Sequence, residues 1–366
     1  MPLTTQAPVL RTADGPFVIE DITLDPLGPQ DLLVRVAGTG MCHTDLMARD
    51  PGLASVLLPA VLGHEGSGVV TAAGSEVTDF AVGDHVVMSF DSCGGCASCR
   101  VGDPAYCENF LESNLSGRCR DGRSGATGSD GEAVNTRWFA QSSYAGFAVA
   151  TRRNAVKVDP DLPLELLGPL GCGLQTGAGV VFNEMELQPG QSIAVFGAGT
   201  VGLAAVMAAK IAGATEIVVV DTHPGRLDMA VELGATRVHS DSLQLVNRIV
   251  GGESGVDHSL DTTSVPAVMA AAVQVLAPRG GAVLVGGGAG ALTIQPSQLA
   301  GRRLTYVLEG SAVPQEFIPT LLRYWREGRF PFDRLIRIYP LADINQAEAD
   351  SLSGATIKPV LIPESV

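Results

Sequence analysis

Four cysteines crowd into fifteen residues of this 366-residue chain: Cys93, Cys96, Cys99 and Cys107. Two others stand far apart, Cys42 in the run Cys42-His43-Thr44-Asp45 and Cys172 between Gly171 and Gly173, with His64-Glu65 between them. Thiolates and imidazole are good zinc donors. Four of them close a tetrahedral site, whereas three leave one position for a reacting oxygen. The spacing therefore predicts two zinc ions per subunit, a structural one on the four-cysteine cage and a chemical one on Cys42, His64 and Cys172. An iron–sulfur cluster of the bacterial ferredoxin kind would place its fourth cysteine sooner and follow it with proline; here Glu108 follows Cys107. Asp45 and Glu65 are placed to sit behind the open site, where a carboxylate on the far ring nitrogen would fix the orientation of His64.

A second chemistry is written at Gly197-Ala198-Gly199-Thr200-Val201-Gly202. This G-x-G-x-x-G follows the apolar run Ser192–Phe196 and opens an Ala-rich helical stretch. In that context the first glycine makes the turn, the second lets backbone approach a pyrophosphate, and the third packs helix on strand. Asp221 ends the next apolar run, where a carboxylate would accept from the adenosine ribose and repel a 2′-phosphate. The expected cofactor is NAD.

The elements that must position these residues differ between the two parts of the chain. Up to about residue 110 the sequence reads as short strands broken by Gly and Pro, including Asp31–Val36, Gly68–Val70 and Asp84–Met88. Residues 111–136, rich in Gly, Ser and Asp and holding Cys119, read as a long irregular flap, with Cys119 a free thiol. From Gln191 strands and helices alternate, which predicts a parallel sheet covered on both faces. Ile318, Leu321, Leu322 and Trp325 recur at helical spacing. A net charge of −15 argues against nucleic acid or an anionic membrane as partner. With no secretory signal or membrane-length apolar run, a soluble cytoplasmic protein is expected.

In order and spacing, these elements resemble the zinc-dependent medium-chain alcohol dehydrogenases over nearly the whole chain. Cys₂His ligation with one open position is itself a hallmark of that family, so the agreement is not independent support. The resemblance implies an α/β protein: a GroES-like β-rich catalytic domain over residues 1–173 and 309–366, with a structural-zinc lobe near 90–110, and a Rossmann NAD-binding domain over 174–308. It implies an active site in the crevice between them. Cys42, His64 and Cys172 then resemble the catalytic zinc ligands and Glu65 the acid behind the metal. Thr44 resembles the hydroxyl that takes the alcohol proton. His43 resembles a pyrophosphate contact and Lys358 a second one. Thr176 and Val201 resemble residues that pack the nicotinamide, and Arg226 the cation beside the adenosine ribose.

Many family members carry a proton-relaying histidine where this chain has Met47. Bacterial aryl and allylic alcohol dehydrogenases share the departure and also resemble the chain at Phe139–Ser143 and around Glu309-Gly310. The expected reaction is reversible oxidation of a benzyl-type or geraniol-type primary alcohol with hydride transfer to NAD. Alternatives are a general aliphatic alcohol dehydrogenase, or a formaldehyde dehydrogenase acting on S-hydroxymethyl thiols, for which Arg118, Arg120 and Arg123 could hold an anionic thiol. A polyol dehydrogenase fits less well because Cys172 is present, and a non-catalytic redox sensor is also conceivable. The family is oligomeric, which implies a homodimer or homotetramer, with apolar segments near Leu292–Leu304 as an intersubunit edge.

Overall fold

A computed structural model of the chain describes residues 3–288 and 290–364. The chain divides into two compact units. The first is Met1–Cys172, Val313–Pro319 and Leu335–Val366, and the second is Gly173–Ala312 with Thr320–Arg334. The sequence reading places 320–334 with the first unit. In the structure the Tyr324 ring packs on Phe182 at 5.9 Å and Arg334 pairs with Glu232, which ties that segment to the second.

In the first unit, alternation sets the faces. Leu32, Val34 and Val36 point inward along the strand Asp31–Gly40 and meet Val70, Val86, Met88, Ala148 and Ala150 in one core. That strand is central to a seven-stranded sheet, hydrogen-bonded to Glu65–Ala73, Phe147–Thr151 and Lys358–Ile362. A small closed barrel holds Leu3–Leu10, Phe17–Leu24, Ala60–Val61, Gly125–Gly128 and Ala133–Asn135. Two of those strands correct the expectation of an irregular flap over 111–136. Asn114, in the helix Phe110–Leu115, accepts from Asp91 N and returns a bond to Asp91 O, and the following hairpin closes the barrel. Low apolar content hid short strands whose partners lie about a hundred residues away.

The second unit holds a six-stranded parallel sheet of β1 (Ser192–Phe196), β2 (Glu216–Val220), β3 (Arg237–His239), β4 (Val256–Asp261), β5 (Leu276–Leu284) and β6 (Arg303–Tyr306). Their order is β3-β2-β1-β4-β5-β6, so the chain reverses direction across the sheet between β1 and β4. That reversal opens a crevice at the carboxyl ends of the strands, the usual place for a dinucleotide. Helix Thr200–Ala212 begins there directly after β1.

Gly202 faces the carbonyl of Gly197 so closely that a Cβ would come within 1.8 Å of it, whereas a Cβ on Gly199 would meet nothing within 4 Å. Gly202→Ala is therefore expected to push helix from strand and destabilise the fold by about 1–3 kcal/mol, read as a lower urea midpoint. Gly199→Ala should stay within about 0.5 kcal/mol of the parent in the same titration.

Candidate active site

Sheet register, rather than nearness in sequence, assembles the dispersed donors. Gly40 pairs with Glu65 and Thr39 with Gly66, so Cys42 and His64 emerge side by side where the two strands end. Val360 pairs with Gly40, which brings Lys358 opposite the same corner. Cys42 then caps the short helix His43–Leu46, and Asp45 Oδ2 accepts from Cys42 N at 3.3 Å. Cys172 arrives on the turn Gly168–Gly171, which lies directly on backbone. A Cβ at Gly168 would be 2.0 Å from Glu65 O, and one at Gly171 would be 2.0 Å from Met88 O. Only glycine permits that approach.

One ligand atom from each of Cys42, His64, Glu65 and Cys172 lies within 4.8 Å of the others. His64 and Glu65 are fully buried and Cys172 nearly so. The His64 ring donates from Nδ1 to Asp45 Oδ1 at 2.7 Å, and its Nε2 is buried without a hydrogen-bond partner. Asp45 already accepts from Gly63 N, Trp138 Nε1 (3.0 Å), Tyr144 Oη (2.7 Å) and Cys42 N. Asp45 Oδ1 faces the ring as an acceptor, so the imidazole proton belongs on Nδ1 and the Nε2 lone pair is left for a metal. The donor set fits zinc. Hydrogen bonding with Cys172 outweighs burial and, with His64 and Lys358, holds the Cys42 thiol well below its ordinary range.

Glu65 joins this group as a fourth possible ligand, beyond the three-donor expectation. Both its oxygens accept from Lys358 Nζ, at 2.8 and 3.0 Å, and the same ammonium donates to Met41 O. Lys358, expected as a pyrophosphate contact, is only 2% exposed, and its three donors are engaged inside the unit. A buried carboxylate needs a counter-charge, and this lysine is it. Burial raises the Glu65 pKa against the pull of Lys358, while burial alone would lower that of Lys358, which its anionic neighbours instead raise.

Cys93, Cys96, Cys99 and Cys107 form the second group. Cys93 to Cys99 and Cys96 to Cys107 are each 3.9 Å between sulfurs. Metal–sulfur arms of ~2.3 Å at the tetrahedral angle give an edge of about 3.8 Å, so the cage is sized for zinc. Backbone N–H groups point at the sulfurs, as from Gly95 and Cys96 to Cys93, and hold the Cys93 thiol down to about 6. Cys119 belongs to neither group; its sulfur accepts from Arg137 Nε at 3.3 Å.

In the second unit Gly197 turns with φ +93°, and the helix after it starts at Gly199 with no side-chain cap, the kind of helix end that suits an anion. Asp221 lies just after β2. It accepts from Ala198 N (2.7 Å), His223 N (2.8 Å) and His223 Nδ1 (3.0 Å), with Arg226 Nη1 at 4.0 Å. The acid thus also braces the glycine loop, and His223 joins it; neither link has a sequence signature. Gly177, the residue after Thr176, lies directly on Val201, where a Cβ would touch Val201 O. His43 is exposed, Thr44 is half-buried with Oγ1 3.7 Å from Cys42 Sγ, and Met47 is exposed. Trp138 and Tyr144 went unnoticed in the sequence because each meets Asp45 from more than ninety residues away.

Removing the ammonium of the buried pair strands the Glu65 charge. Lys358→Met is expected to cost about 3–5 kcal/mol in chemical denaturation, and adding Glu65→Gln should recover part of that loss.

Residues 28–160 match the alcohol dehydrogenase GroES-like domain and residues 200–324 the zinc-binding dehydrogenase domain. A geraniol dehydrogenase from Castellaniella defragrans is 44% identical, with 98% of each chain covered. Among solved structures, an alcohol dehydrogenase zinc-binding domain protein from Burkholderia ambifaria superposes with a TM-score of 0.94 at 47% identity. The benzyl alcohol dehydrogenase of Acinetobacter calcoaceticus does so with 0.92 at 40%, and both cover 99% of each chain. Full-length likeness of that order, together with a zinc-sized cage, a donor set with a free imidazole nitrogen and a nucleotide loop, makes this chain a member of the zinc-dependent alcohol dehydrogenase family, an oxidoreductase of GroES-like and Rossmann parts.

Proposed function

We propose that the enzyme oxidises primary aryl or allylic alcohols, of the benzyl alcohol and geraniol kind, reversibly to aldehydes with NAD as hydride acceptor. The observation that carries the reading is the unpartnered His64 Nε2 between two thiols, in a chain that also bears the Gly197–Gly202 loop and Asp221. The named activities of the geraniol and benzyl alcohol relatives support the substrate class.

Zinc bound by Cys42, His64 and Cys172 would supply Lewis acidity that lowers the pKa of an alcohol, and zinc in the four-cysteine lobe would brace the fold. NAD held by the glycine loop would supply the hydride acceptor. The chain does the rest. Asp45 keeps the His64 proton on Nδ1, and Glu65 with Lys358 sets the charge behind the site. Thr44 takes the alcohol proton at Oγ1. Methionine at 47 cannot relay it, so the path ends at Thr44 and the cofactor ribose, or leaves through His43 or water. Asp221 accepts from the adenosine ribose, Arg226 stands beside it, and Thr176 with Val201 packs the nicotinamide.

No helix among the described residues is long and apolar enough to cross a membrane. β6 ends the parallel sheet with Tyr306 half-exposed, which supports assembly of copies into a homodimer or homotetramer through that edge. The S-hydroxymethyl-thiol reading is weaker. Arg120 is tied to Asp91, Arg123 to Asp121 and Asp25, and Arg118 to Gly122 O, so these arginines are already engaged without an anionic thiol.

NADH formation is expected to be faster per molar substrate with benzyl alcohol, cinnamyl alcohol and geraniol than with ethanol, and independent of added glutathione or mycothiol. Ethanol equal to the aryl substrates in kcat/KM would overturn the substrate class. Cys172→Ser should retain one zinc instead of two and lose turnover while still binding NAD. Asp221→Gly should raise the NADP-to-NAD ratio of kcat/KM at least tenfold, the size of about 1.4 kcal/mol of removed repulsion; an unchanged ratio would refute the ribose role.

A further inference from the structure

Trp138, Phe139, Gln141 and Tyr144 surround His64 through one short segment. Phe139 lies on the imidazole face with ring centroids 4.5 Å apart and planes at 29°. Gln141 Nε2 donates to His64 O and Ser89 O, while its Oε1 accepts from Gly66 N. Trp138 Nε1 and Tyr144 Oη donate to opposite oxygens of Asp45, the carboxylate that holds His64 Nδ1. All of these side chains are buried, Trp138, Gln141 and Tyr144 completely.

The backbone of this segment is unusual. Phe139, Ala140 and Ser142 have φ of 50°, 53° and 48°, the left-handed region that side chains other than glycine seldom adopt. Such conformations persist only where the surroundings over-determine them, and they gather at functional sites. Ser142 Oγ accepts from Trp138 N and donates to Val61 O, which locks the bend. A chain that needed only to fill this space could do so in ordinary conformations. This one presents two donors to a single carboxylate.

We infer that Tyr144 and Trp138 are positioning residues of the alcohol dehydrogenase reaction, acting through Asp45 to fix the tautomer and aim of His64. The inference rests on the reading of Cys42, His64 and Cys172 as the ligand set. Without the tyrosine hydroxyl, Asp45 Oδ2 keeps only the 3.3 Å bond from Cys42 N. Without the indole donor, Oδ1 keeps only His64 and Gly63. In either case the carboxylate can turn, and the imidazole turns with it.

The test follows zinc release from the holoenzyme to a chromogenic chelator, where the phase abolished by Cys172→Ser belongs to the open site. Tyr144→Phe and Trp138→Phe are expected to speed that phase about 10–100-fold and to leave the four-cysteine phase unchanged. In an Asp45→Asn background each should add no more than about threefold, because the effect runs through the carboxylate. Ser259→Ala, which removes a buried bond to Ala272 O in the other unit, serves as a stability control and should move neither phase. Wild-type release rates in both variants, or effects that multiply undiminished onto Asp45→Asn, overturn the positioning role. A Cys172→Ser protein that keeps both phases overturns the ligand reading, and this inference with it.

Discussion

A single buried carboxylate organises the candidate active site. Asp45 has no solvent exposure and accepts from two backbone amides, an indole, a phenol and an imidazole. Burial of a carboxyl group in a protein interior is costly unless its oxygens are met by donors, and here they are met in full. The donors come from three separate stretches of chain. Satisfying one charge therefore fixes the relative positions of the helix at His43, the strand at Glu65 and the segment from Trp138 to Tyr144. Stability and ligand geometry become the same requirement.

Close backbone approach is the second constraint, and glycine meets it. Gly63, with φ +89°, lets Tyr144 lie where a Cβ would stand 2.5 Å from its ring. Gly168 and Gly171 lay the turn before Cys172 directly on the strands that carry Glu65 and Met88. Cys42 and Cys172, 130 residues apart in sequence, thus converge because bulk is absent between them. The same economy governs the nucleotide loop, where Gly202 seats helix against strand.

The chemistry was more legible than the architecture around it. Cysteine and histidine types, and the fixed offsets within Cys42–Asp45 and Gly197–Gly202, are local signals, and so both donor groups and the glycine loop could be read directly. Repeated β-branched runs such as Ile217–Val220 announced the parallel sheet for the same reason. The hairpin Gly125–Asn135 was not legible, since its strands are short, polar and stabilised by barrel closure. The pairing of Lys358 with Glu65 was not legible, because the two residues lie 293 apart in sequence. Trp138 and Tyr144 looked like ordinary core aromatics. Nothing in a sequence marks which buried ring carries a donor aimed at a distant carboxylate.

Charge balance ties these observations together. Cys42, Cys172 and Glu65 are three potential anions within one small buried cluster, with Asp45 a fourth directly behind it. Lys358 is the one ammonium that the structure brings into contact with them among the described residues. Four such anions cannot all persist beside a single cation in a low-dielectric interior, so the protein alone must keep protons on some of them. A dication offsets the excess and lets the thiols lose their protons, which makes metal affinity rise with pH and couples it to the stability of this corner of the fold. The buried lysine then has a clear purpose. It neutralises Glu65, the one carboxylate among the four clustered donors, and leaves two sulfurs and an imidazole nitrogen beside it.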